Sequence, residues 1–420
     1  MSAELHISEV RAQFPALSTP NSVGIVPAYF DGPGGTQVPR RVLDAMADYL
    51  VGSNSNIEGE YEASVRTDEL IARARATGAA LVNGDQEGIA FGQNATTLNF
   101  LLTHAVGRLL EPGDEILTST LDHDANVAPW LLLAQDRGLV VRQIGVTGDL
   151  ELDLDDLAAK LTSRTKVVAY TLASNAVGTL TPASRIAALA HQAGALAWVD
   201  AVHYAPHRRI DVRAIGCDVL LCSPYKFFGP HLGMAWVRPD LAAAWPAERV
   251  RPAGDRPAGH RFETGTLSHE ALAGFIAAVD YLRSLGSIAQ LTSLERVNHV
   301  IDPWGLGDAY AAIGAYEHEL AARFLTGVRE LAGWRVLGVQ DADPARRVAT
   351  FGLLSDHASP RELAKRLGDA GYYTWNGNFY ALNLVRALGL DENEGMLRIG
   401  FAHYNTAEEV AGLLDLMGRL

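Results

Sequence analysis

Lysine is scarce in this chain. Of its thirty-five basic residues only Lys160, Lys166, Lys226 and Lys365 are lysines, so a chemically special amine has four candidates. Lys160 (in Asp155-Asp156-Leu157-Ala158-Ala159-Lys160) and Lys365 (in Arg361-Glu362-Leu363-Ala364-Lys365) fall on polar helix faces, and Lys166 follows Ser163-Arg164-Thr165 at a strand entry. All three suit solvent. Lys226 sits instead in Leu220-Leu221-Cys222-Ser223-Pro224-Tyr225-Lys226-Phe227-Phe228, after an apolar strand and between aromatics. Burial without a partner lowers an amine's pKa, and a depressed pKa is what a Schiff-base lysine needs. The same surroundings fit equally a lysine whose stem packs on the aromatics while its head reaches water.

Three further pieces could serve such an amine. Asp200 ends the apolar run Ala195-Leu196-Ala197-Trp198-Val199-Asp200, and the C-terminal end of a buried strand is where doubly wound folds place ligand contacts. A carboxylate there can partner a pyridinium nitrogen; a lone Asp also caps turns. Gly92-Gln93-Asn94-Ala95-Thr96-Thr97 follows a strand-like run and opens a helix pattern, which makes a place for an anion or simply a capped start. His123, in Asp122-His123-Asp124-Ala125-Asn126, could stack on an aromatic ring or lie in a polar loop. Neither a P-loop nor a GxGxxG fingerprint occurs.

These pieces need an α/β frame, and the sequence supplies one. Apolar runs at 87–91, 114–119, 166–172, 196–200, 217–223 and 232–237 alternate with helical patterns at 95–110, 154–162 and 182–194, which predicts a mainly parallel sheet covered on both faces. Residues 290–335 read as long helix with a break at Asp302-Pro303-Trp304-Gly305, and 345–420 mix strands (349–354, 395–402) with helices (360–370, 406–420). The division expected is an N-terminal arm at 1–30 packing with the small domain, a large α/β domain at 31–290 and a small C-terminal α+β domain at 291–420. A net charge of −14 gives no field favouring nucleic acid or an anionic membrane. Only Cys217 and Cys222 are present, so neither a disulfide framework nor a cysteine metal site is expected. No signal peptide or transmembrane run is visible, and a cytoplasmic location is expected.

Taken together the motifs resemble the class V aminotransferase family, the fold-type-I enzymes dependent on pyridoxal 5'-phosphate (PLP), with cysteine-desulfurase-like proteins nearest. The resemblance runs from Asp31 to about Val410, with the motifs in the family's order. It implies that Ala95, Thr96 and Ser223 hold the phosphate, that His123 stacks on the ring, and that Asn175 and His203 lie beside it. It further implies Asp200 at the pyridine nitrogen, Tyr225 near the phosphate, Lys226 as the Schiff-base lysine, and Thr266 reaching the phosphate of a partner subunit. Arg398 would grip the substrate carboxylate, with Asn56 and Asn175 also touching substrate. The implied assembly is a homodimer with shared active sites, and no metal is expected.

The departures matter as much. In Gly377-Asn378-Phe379-Tyr380-Ala381-Leu382, Tyr380 stands where desulfurases carry their nucleophilic Cys. Tyr225 replaces a His, His203 replaces a Gln, and Glu58 stands near an expected loop His. A phenol forms no persulfide, so the expected chemistry on a small α-amino acid is β-elimination of the C–S lyase type or aminotransfer, with Lys226, His123 and Tyr380 as catalytic groups. The alternatives are a desulfurase using an unusual thiol such as Cys222, and an amino-acid epimerase.

Overall fold

The computed structural model describes residues 5–288 and 305–420. A seven-stranded mixed sheet organises the large domain. Its strands are β1 (Ile89–Gly92), β2 (Glu115–Ser119), β3 (Val140–Ile144), β4 (Thr165–Thr171), β5 (Leu196–Asp200), β6 (Val219–Cys222) and β7 (Gly233–Val237), in spatial order β1-β7-β6-β5-β4-β2-β3. β7 alone runs antiparallel to its neighbours; β6, β5, β4, β2 and β3 pair in parallel.

Apolar residues on both faces of a strand demand cover on both sides, and two clusters supply it. Val168 and Tyr170 pack into one, Val167 and Ala169 into the other. The six apolar runs of the sequence therefore become six strands. β3 is the strand that periodicity did not reveal. It lies at the sheet edge, and Val140 is exposed.

Helices α1 (Arg40–Gly52), α2 (Glu62–Val82), α3 (Ala95–Gly107), α4 (Ala128–Arg137), α5 (Ala183–Gln192) and α6 (His269–Ile288) cover the sheet. Helix α2 is also weakly signalled in the sequence. Its buried face includes Ser64, Thr67, Ala74, Thr77 and Gly78, small groups that let it lie close. A Cβ on Gly78 would stand 2.9 Å from the Met234 sulfur.

The small domain has a four-stranded antiparallel sheet. Its strands are β8 (Trp334–Val336), β9 (Thr350–Ser355), β10 (Trp375–Gly377) and β11 (Met396–Gly400), in order β10-β11-β9-β8. Helices α7 (Leu306–Arg329), α8 (Pro360–Asp369) and α9 (Ala407–Met417) bring Phe324, Leu363 and Leu413 against Phe351 and Ile399. The caps are locally encoded: Ser359 accepts from the Glu362 N–H, and Thr406 with Glu409 forms a capping box on α9. Of the helix read at 290–335, the part to residue 304, with its break at Asp302–Trp304, lies outside the described residues, and Leu306–Arg329 is helical.

Ala28 and Tyr29 pair in parallel with Tyr372 and Tyr373, and Asp31 bridges Gly400. The turn that follows is thereby fixed against β11. Among the described residues, no helix is long and apolar enough to cross a membrane.

Candidate active site

A cavity of about 700 Å³ opens at the C-terminal ends of β4, β5 and β6, where the large domain meets β10 and β11. Position follows from topology: ligands of open α/β sheets bind beyond the carboxyl ends of the strands.

Lys226 lies in a single 3-10 turn after β6. Its Nζ donates to the carbonyls of Pro33 (2.5 Å) and Gly34 (3.0 Å) and stands 4.7 Å from the Tyr225 ring centre. Burial, reinforced by the nearby Arg398, lowers the amine to about 7, although Asp31 and Asp200 act the other way. Of the two readings that the sequence leaves open, the place of this head group at the cavity wall, bonded to two carbonyls, favours the first.

Asp200 ends β5. Its Oδ1 accepts from the Val202 N–H at 2.8 Å, and burial raises the carboxyl to about 6 against the pull of that bond and of Lys226. Asp122, not expected as a site residue, is another buried carboxyl that feels Asp200. Burial pushes it up to about 8, and Asp200 adds to the rise. The Ser119 N–H and the Asn126 amide donate to it, so it ties the His123 loop to the end of β2.

His123 accepts at Nδ1 from the Ala125 N–H, 3.0 Å away, which places its ring proton on Nε2. Burial first, then Lys226 and Arg398, lower it to about 4, so the ring is neutral at pH 7. One face stacks on Tyr380 with ring centres 5.2 Å apart and planes 27° apart.

Helix α3 supplies an anion cradle. The Asn94 side chain caps it by accepting from Thr97 N–H at 2.8 Å, which leaves the N–H groups of Ala95 and Thr96 as free first-turn donors. Gly233 on β7 permits this approach, since a Cβ there would stand 2.3 Å from the carbonyl carbon of Asn94. Ser223 lines the same end of the cavity.

Opposite stands Arg398 on β11, 4% exposed. It donates from Nη1 to the Asn175 carbonyl (3.0 Å) and from Nη2 to Asp31 Oδ1 (3.3 Å), while its Nε has no partner among the described residues. Asn175 is held by its amide N–H to the Phe379 carbonyl at 2.8 Å, and its Oδ1 is likewise unpartnered. Phe379 and Tyr380 adopt left-handed φ values of +54° and +57°. The Asp124 N–H, 2.7 Å from the Tyr380 carbonyl, pins this strained pair to the His123 loop.

Eleven residues expected from sequence line this one cavity: Ala95, Thr96, His123, Asn175, Asp200 and His203, then Ser223, Tyr225, Lys226, Tyr380 and Arg398. Asn56 and Thr266 are not among its lining residues. Asn56 bonds the Ile57 N–H of its own loop, and Thr266 is exposed. Sequence reasoning missed Asp31, which pairs with Arg398, and the carbonyls of Pro33 and Gly34. The turn sequence Asp31-Gly32-Pro33-Gly34-Gly35 was visible, but nothing local tells which cation a turn will meet.

The unpaired atoms test what the cavity could hold. A buried carboxyl, two free helix N–H groups, an amine near neutrality and an unsatisfied guanidinium nitrogen together fit a molecule with a ring cation, a phosphate and a carbonyl. They fit a second molecule carrying a carboxylate.

The model of the family "Aminotransferase class-V" matches residues 28–413. A probable cysteine desulfurase 2 of Mycobacterium leprae is 30% identical over 440 residues, spanning 99% of this chain and 98% of its own length. An aminotransferase-like protein, FGM3, of Gibberella zeae is 30% identical over 421 residues, with 97% of both chains covered. Among solved structures, the cysteine desulfurase of Thermococcus onnurineus superposes with a TM-score of 0.84 at 24% identity, covering 100% of this chain and 99% of the other. A C-DES mutant with glycine covalently linked to its PLP cofactor superposes at 0.77 with 20% identity, covering 97% and 98%. These two likenesses show the fold.

Proposed function

The chain belongs to the class V aminotransferase family, with the fold-type-I architecture, and we propose that it is a PLP-dependent enzyme that releases the β-substituent of a small, cysteine-like α-amino acid. One observation carries this reading: the Lys226 amine, the Asp200 carboxyl and the Arg398 guanidinium converge on a single cavity. When bound there, pyridoxal phosphate supplies an electron sink that makes the Cα proton of an amino acid removable.

The chain's own groups divide the remaining work. The Ala95 and Thr96 N–H groups and the Ser223 hydroxyl take the phosphate, each charge-assisted bond contributing about 1.5–3 kcal/mol. Asp200 keeps the ring nitrogen charged. His123 would cover one ring face, and Asn175, His203 and Tyr225 would hold its edge. Lys226 would anchor the cofactor, and its Nζ is the group that would move the Cα proton. Arg398 offers its guanidinium to the substrate carboxylate and so orients Cα. Tyr380, stacked on His123 at the mouth, offers its phenol for the proton that the leaving group needs. Thr266 would act across a homodimer interface, reaching the partner's cavity.

Supporting direct release over sulfur transfer, Cys217 and Cys222 are both buried, and burial pushes both thiols far up. The test is a screen of amino acids against the visible absorbance of the PLP-loaded protein, with assays for pyruvate, ammonia, sulfide and inverted amino acid. The expected result is pyruvate, ammonia and sulfide from cysteine. A keto acid without ammonia or sulfide would replace elimination by aminotransfer, inversion alone would make the enzyme an epimerase, and a chain that never becomes coloured would end the reading.

A further inference from the structure

Two buried titratable side chains next to His203, His207 and Glu317, have no work in the reaction above. His203 is 4% exposed and forms part of the cavity wall, with its Nε2 3.0 Å from Thr350 Oγ1. The ring of His207 stands behind it, 5.1 Å away between centres at an interplanar angle of 76°. His207 is 2% exposed, and its Nδ1 is 2.7 Å from Oε2 of Glu317 on α7, itself 3% exposed. His207 Nε2 and Glu317 Oε1 have no partner among the described residues.

A carboxylate buried this deeply needs a proton donor and a compensating charge. The Nδ1 of His207 is the group at bonding distance. A second cation 5.1 Å from a charged His207 is disfavoured. The groups facing His203 are Thr350, His207 and the two cavity cations, Lys226 and Arg398. Those facing His207 are Glu317, His203 and His403, the last bonded at Nε2 to the Tyr281 hydroxyl at 2.5 Å. Tyr310, whose hydroxyl is 2.7 Å from the Ala205 carbonyl, faces Glu317. The two cavity cations, Lys226 and Arg398, both disfavour a charge on His203, and burial, the larger cause, lowers its imidazole well below the ordinary histidine value.

We propose that His203, His207 and Glu317 form one protonic unit, in which Glu317 keeps the proton on His207 and so keeps His203 neutral at the cavity wall. Glu317, contributed by the small domain, is then a positioning residue. It acts through His207 to present a neutral ring nitrogen of His203, and not a cation, to a hydroxyl or oxyanion in the cavity. His203 is a group whose charge must be controlled, and the pair behind it does so. This deepens the reading of the cavity as a cofactor site, but its first test does not depend on that reading.

That test is the imidazole nitrogen spectrum of the full chain labelled at histidine, followed from about pH 6 to about pH 8. The expected wild-type spectrum has a His207 imidazolium, assigned by its loss in His207→Gln, that does not titrate in this window, and a His203 that stays neutral. In Glu317→Gln the His207 charge is lost and the His203 midpoint rises by about one unit or more; Glu317→Asp restores both. In the PLP-loaded protein the pH midpoint of the visible band should move in Glu317→Gln and not in Glu317→Asp. A neutral His207 or a charged His203 in the wild-type chain overturns the proposal even if no variant folds, and so does a Glu317→Gln chain with His207 still charged. A chain that shows the expected imidazoles but takes up no PLP upholds the proposal and fails only the reading of the cavity as a cofactor site.

Discussion

The guanidinium carbon of Arg398 lies 4.1 Å from the centre of the Phe379 ring. The ring covers one face of the cation while Asn175 and Asp31 take two of its nitrogens, so the guanidinium has no freedom to swing. A stacked, half-bonded guanidinium is pre-organised for a planar carboxylate, and Lys cannot reproduce that.

Removing that grip should be read in binding. Arg398→Ala is expected to raise KM for amino acids about tenfold to a hundredfold, the equivalent of one lost charged hydrogen bond. Phe379→Leu, which removes only the ring face, should raise it severalfold, since such a contact contributes about 0.5–2 kcal/mol. Steady-state kinetics on the free amino acid and on its amide provide the check. An amide bound as well as the acid by wild type would place the carboxylate elsewhere.

The amine of Lys226 sets a pH dependence with a definite sign. Because burial lowers it to about 7, the neutral, nucleophilic form dominates above that pH and is lost below it. The rate at which the chain becomes coloured with added PLP should rise through about pH 7 and then level off. An ordinary lysine would keep rising to about pH 10. Stopped-flow absorbance across pH measures this, and Lys226→Ala should leave no pyridoxyl group on the chain after borohydride reduction.

Stability near the site depends on a different pair. Glu263 takes two bonds from Arg75 (2.9 and 2.6 Å), one from the Phe91 N–H at 2.9 Å, and lies 2.7 Å from His260 Nδ1. Burial acts to raise this carboxyl, but His260 and Arg75 outweigh it and hold it below the usual glutamate value. With a depressed folded pKa, its stabilisation is complete above the unfolded carboxylate range and fades as pH falls through the folded value. Glu263→Gln should cost about 3–5 kcal/mol at neutral pH, because Arg75 is left buried with its charge uncompensated. The difference from wild type should narrow in acid. Urea unfolding at several pH values decides it, and an equal loss at every pH would show that the carboxylate charge is not involved.

Much of this fold and site is legible in the sequence. Strands β1, β2, β4, β5, β6 and β7 announce themselves because a covered parallel sheet needs apolar residues on both faces, and the lining residues fall at strand ends where such sheets place ligands. Helix α2 was obscure because its buried face is largely Ala, Thr, Ser and Gly, which carry little hydrophobic signal. Edge strand β3 was obscure because its exposed face breaks the run. Within the site, Lys226 could be picked out by scarcity and context, whereas the Asp31–Arg398 pair joins residues 367 apart and has no local signature. The Glu317–His207 contact spans 110 positions and is illegible for the same reason.

The two cysteines give the sharpest test of the chemistry. A persulfide forms only when a thiolate attacks the substrate sulfur. Cys222 is 0% exposed and Cys217 is 4% exposed, and burial drives both thiols well above their ordinary value, with Asp200 adding to the effect at Cys222. Neither is a thiolate at neutral pH; Cys222 cannot swing to a substrate without unpacking the end of β6, and Cys217 lies before the other end of that strand. The double variant Cys217→Ala/Cys222→Ala should lose about 1–3 kcal/mol of stability to small cavities and still release sulfide and pyruvate from cysteine at close to the wild-type rate. Mass spectrometry of the wild-type chain after turnover should find no added sulfur atom. A sulfur adduct on Cys222, or sulfide release that disappears in the double variant while its visible band remains, would return the enzyme to the desulfurase reaction by an unusual thiol.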